Sequence, residues 1–86
     1  MKFQGAIVKE QGQTFAIVVV KPQVLQSTFE ANETRHSFTS VFPGVPIVLM
    51  AQNSRGVPTY HGRNDIVNFL ARVPLSTIPW KEFTYN

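Results

Sequence analysis

The chain contains no cysteine among its 86 residues. That excludes a disulfide framework, a thiolate nucleophile and a thiolate metal ligand. The pure protein should therefore show no thiol–disulfide exchange, and measurable insulin reduction by it would contradict this reading. Long apolar runs are also missing. The longest, residues 15–20, is far too short to cross a bilayer, and no apolar signal segment follows Met1-Lys2-Phe3-Gln4. These absences predict a soluble, cytoplasmic protein with no membrane partner. Clustered basic charge is absent as well. Eight Lys and Arg stand against five Asp and Glu, but Lys2, Lys9, Lys21, Arg35, Arg55, Arg63, Arg72 and Lys81 are scattered, which argues against a nucleic-acid footprint.

Catalytic and cofactor signatures are equally scarce. Gly5, Gly12, Gly44, Gly56 and Gly62 are isolated, so no glycine-rich loop cradles a phosphate and no cofactor is expected. No Gly-x-Ser-x-Gly elbow occurs, and no acid is placed for a triad. His36, beside Arg35, and His61 share no ligand spacing with the few acids, so no metal is expected. Glu30 and Glu33 read as a solvated helix face rather than a tuned carboxylate pair. The chain is therefore not expected to be an enzyme.

What is present is apolar. The hydrophobic fraction is 43%, with seven Phe, two Tyr and one Trp, as in ordinary globular chains. One domain, residues 1–86, is the natural reading of this length. So small a core without staples leans on good packing, a partner or self-association, and a homodimer is one way to supply this.

The pattern predicts a β-hairpin first. Residues 2–10 and 13–21 have strand composition, and Glu10-Gln11-Gly12-Gln13 is a turn with glycine where a positive φ is needed. The unbroken Val18-Val19-Val20 predicts a second strand buried on both faces. Residues 22–42 read as one helix or two, opened by Pro22, with Asn32 as a break and cap. Residues 47–51 and 57–61 form a second hairpin around Asn53-Ser54-Arg55-Gly56, with Pro58 marking an edge strand. Asn64 and Asp65 start a last helix that carries Ile66, Val67, Phe69, Leu70 and Val73 on its apolar stripe and stops at Pro74. The tail, residues 75–86, holds Trp80, Phe83 and Tyr85 and should pack on the body. The expected architecture is α/β, with α+β as the alternative. Its order is ββαββα, with a four-stranded mixed sheet and helices mainly on one face. Val18, Val20, Val48, Phe69 and Leu70 should be among its most buried residues.

Residues 45–73 resemble the C-terminal half of thioredoxin-fold proteins. A proline precedes a strand, a hairpin leads to an edge strand, and a glycine opens the final helix. Val45-Pro46-Ile47, the strand to Met50, the turn at 53–56, Gly62 and the helix to Val73 follow that order. The resemblance implies a cis Val45–Pro46 bond and a groove beside Pro46 that receives an extended substrate. The first half departs from it. The chain opens with a hairpin, and Lys21-Pro22-Gln23-Val24 stands where a Cys-x-x-Cys motif would fall.

The resemblance thus implies a non-catalytic domain that binds a protein or peptide, or supports an assembly. Val45, Pro46, Tyr60, His61 and Arg63 are the candidate contact residues. His61 and Arg63 flank Gly62 at a strand-to-helix junction, which suits an anion but is also the commonest make-up of an exposed turn. The alternative function is a nucleic-acid or anion-binding module using Arg55, Arg63, His61 and the tail aromatics.

Overall fold

The computed structural model describes residues 1–10 and 12–84; Gln11 of the first turn and Tyr85 of the aromatic tail lie outside them. β-Branched and aromatic residues favour β1 (Lys2–Glu10) and β2 (Gln13–Val19), which form an antiparallel hairpin. Gly12 enters its turn at φ 77°, a left-handed conformation that glycine adopts without a steric penalty. After a 3₁₀ turn at Pro22–Gln26, helix α1 (Thr28–Ser37) leads through a second 3₁₀ turn, Phe38–Ser40, to β3 (Ile47–Gln52). β3 returns parallel to β2, as a helical crossover allows. β4 (Pro58–His61) folds back antiparallel on β3, and helix α2 (Asn64–Leu70) follows.

The sheet has five strands, not four. β5 (Lys81–Thr84) pairs antiparallel with β1, giving the order β4-β3-β2-β1-β5. Along the chain the strands and α-helices run ββαββαβ, where ββαββα was expected. Lys81-Glu82-Phe83-Thr84 carries one apolar residue in four, too few for a strand signal; pairing with β1 and the contacts of Phe83 supply the rest.

The helices do not share one face. Phe15, Ile17, Val48 and Met50 point to the side covered by α2 through Ile66 and Leu70. Ala16, Val18, Ile47 and Leu49 point to the opposite side, covered by Ala31 of α1 and by Phe38 and Phe42. A central strand apolar on both faces needs a cover on each. Of the residues expected at the centre, Val18, Val48 and Leu70 are at most 1% exposed. Val20 and Phe69 are only half-buried: Val20 lies just past the end of β2, and Phe69 sits at the flank of the short α2.

The helical boundaries also shift. Ser27, not Asn32, caps α1, its hydroxyl accepting the Glu30 N–H at 3.3 Å. Asn32 lies within the helix. Arg63 occupies the cap position of α2 without a side-chain cap bond, and Asn64 is its first helical residue. Among the described residues there is no cis peptide bond, so Val45–Pro46 is trans. The Pro46 carbonyl accepts the Ala16 N–H at 2.9 Å as β3 comes alongside β2.

Candidate functional site

Because β3 and β4 are antiparallel, the entry of β3 lies beside the exit of β4. Helix α1 passes above both. Between them runs an open groove of about 920 Å³. Val45 and Pro46 form its floor with Ile47, and Gly62, Arg63 and Asn64 form one wall. The opposite wall is α1, with Asn32, Glu33, Arg35 and His36 at helical spacing. Gly62 is required by close approach: a Cβ there would stand 2.9 Å from Val48 Cγ2 and 3.2 Å from the Ile47 carbonyl oxygen. A larger residue would push the wall away from the floor.

The groove's charges are partly spent. Arg63 makes a two-pronged contact with Asp65, Nε to Oδ1 at 2.7 Å and an NH2-group nitrogen to Oδ2 at 2.8 Å. These hydrogen bonds hold the Asp65 carboxyl below its ordinary range and hold the Arg63 guanidinium above its own. Arg35 donates to Asn32 Oδ1 at 3.1 Å along the helix. With Glu33 also lining it, the groove is mixed in charge rather than a strong anion trap.

Of the candidate contact residues, Val45, Pro46 and Arg63 meet in this groove. Tyr60 and His61 do not line it. As neighbours on one strand they point to opposite faces. Tyr60 is the cross-strand partner of Met50 and packs on the α2 side, while His61 is opposite Leu49 on the α1 side. Burial without a partner leaves the Tyr60 hydroxyl and His61 Nδ1 unsatisfied, and desolvation pushes the Tyr60 pKa up.

The residues of the alternative module are spread out. Arg55 is in the β3–β4 turn and Arg63 follows the far end of β4. Trp80 packs on the α2 side and Phe83 on the α1 side. Among the described residues no three His, Asp or Glu gather as metal ligands, and no helix is long and apolar enough to cross a membrane. The α1 wall escaped sequence reasoning because a helix over a strand entry is not a local pattern. The signal that points to it is the strand–helix–strand run over residues 13–52, which demands a crossover. A scan against protein-family models finds no match, and searches of curated proteins and of solved structures find none either.

Proposed function

We propose that this chain is a non-catalytic domain that binds an extended protein or peptide segment in the groove between α1 and the β4–α2 junction. One observation carries the reading: Val45 and Pro46, beside which the resemblance expects a substrate groove, and Arg63, a candidate contact at the strand-to-helix junction, line a single open groove with α1. Its polar walls and mixed charges suit hydrogen bonds to a peptide backbone with few ionic demands. The likeness to the thioredoxin fold now rests on element order from β3 to α2 alone, since Val45–Pro46 is trans and β1–β2 is a hairpin.

The test selects binders from a displayed random-peptide library on the immobilised protein. Amide-shift mapping then follows with one selected peptide. Shifts should concentrate at residues 32–39, 45–47 and 62–64, and Arg35→Glu should change the affinity several-fold while leaving the melt unaltered. Selected peptides that map to the opposite sheet face, or a library that yields no binder, would overturn the proposal.

A further inference from the structure

The other sheet face carries a second cavity, independent of the groove. Helix α2 has seven residues, so it spans only about 10 Å at the α-helical rise and leaves part of the face open. The chain then crosses that part through the 3₁₀ turn Leu75–Thr77. A cleft of about 400 Å³ remains beneath it, at the carboxyl ends of the parallel strands β2 and β3. Such strand ends are where open α/β sheets commonly receive ligands, and the volume is in the small-molecule range.

The lining states what the ligand should be. Val19, Met50, Leu75 and Trp80 supply apolar walls. The Trp80 indole N–H is committed to the Leu75 carbonyl at 2.9 Å, which fixes the ring and leaves its face for stacking. The polar groups are Gln4, Gln52 and Ser76, and no ionisable side chain lines the cleft. Gln52 donates one N–H to the Gly56 carbonyl at 2.9 Å, so its carboxamide is oriented with its oxygen still able to accept. Glu82, the cross-strand partner of Gln4, faces Lys2 at 3.9 Å, so these two charges offset one another. A charged ligand would lose hydration without gaining a counter-charge. A ring without polar edges would leave two carboxamides unused.

We propose that this cleft binds a small, uncharged aromatic heterocycle, stacked on Trp80 and hydrogen-bonded at its edge by Gln4 and Gln52. Trp80 is the only tryptophan, so its fluorescence reports occupancy. Indole, adenine and uracil are titrated into the full chain, with benzoate as the charged comparison. At least one neutral heterocycle should saturate, with a dissociation constant of about 1 mM or tighter. Gln4→Leu and Gln52→Leu, both at exposed positions, should each weaken it by roughly threefold or more, the worth of one hydrogen bond. Thermal melts of the variants establish that they fold. Failure of all three heterocycles to saturate overturns the proposal. So does binding that neither variant changes, or benzoate binding as tightly as the best heterocycle. None of these outcomes bears on the groove of the opposite face.

Discussion

Two side chains show how burial alone does not decide a residue's contribution. Leu70 is 1% exposed and sits with Ile66 on the sheet, among Ile17, Val48 and Met50. Leu70→Ala removes that contact and leaves a cavity, so denaturant melts should show a loss of about 2–5 kcal/mol. A loss under about half a kilocalorie would mean that α2 contributes little cover to the sheet. Tyr60 differs because its buried hydroxyl has no partner. Tyr60→Phe should leave stability at neutral pH unchanged or raise it by up to about 1 kcal/mol, since an unsatisfied group is removed. The pH dependence has a definite sign. The Tyr60 pKa is raised in the folded state by desolvation, so the folded protein holds this proton more tightly than the unfolded chain. The stability linked to it is complete below the ordinary tyrosine value of about 10 and is lost as pH rises toward the folded value. Melts above that pH should fall less steeply in Tyr60→Phe than in the parent, and parallel curves would refute this account.

At the scale of elements, α1 depends on its start more than on its composition. Only Ala31 of its ten residues is buried, so little packing holds the helix. The Ser27 cap and the acidic Glu30 in the first turn, with Arg35 and His36 in the last, are therefore a large share of its local support. Ser27→Ala should cost about 0.5–1 kcal/mol, the lower part of the usual range, because the cap bond is long at 3.3 Å. Amide exchange should quicken first at residues 28–31, and unchanged exchange there would show the cap to be idle. The sheet edges are equally particular. β4 carries Pro58 and β5 carries Lys81, and each is four residues long. Both devices discourage another strand from adding at the edge, which favours the groove over edge pairing as the place for a partner.

At the scale of the molecule, β5 closes the fold from the tail. Phe83 stacks on Phe3 with centroids 5.3 Å apart and meets Phe42 edge-on at 5.3 Å. Phe3 in turn meets Phe38 at 5.0 Å, so one aromatic cluster joins β5, β1 and the segment after α1. Phe83→Ala should cost about 2–3 kcal/mol, below the range for a fully buried Phe because this ring is half-buried. The loss should appear as one cooperative transition. A separate early transition of the tail would show that β5 is an appendage rather than part of the core.

The local signals were enough for the two hairpins, the break at Pro22, the edge position of Pro58, the α2 stripe and the two-sided burial of β2. Each is written in the residues themselves: β-branched runs, glycine at a positive φ, proline without an N–H. The resemblance pointed to a groove beside Val45 and Pro46, and the junction at Gly62 pointed to Arg63, but neither pointed to the α1 wall opposite them. The choice of Ser27 over Asn32 as cap, the trans bond at Pro46 and the fifth strand were decided in three dimensions. A cap is selected by where the chain must turn to lay Ala31 on the sheet. β5 forms because an open edge of β1 and a cluster of phenylalanines far apart in sequence become neighbours, a condition that no stretch of four residues can express by itself.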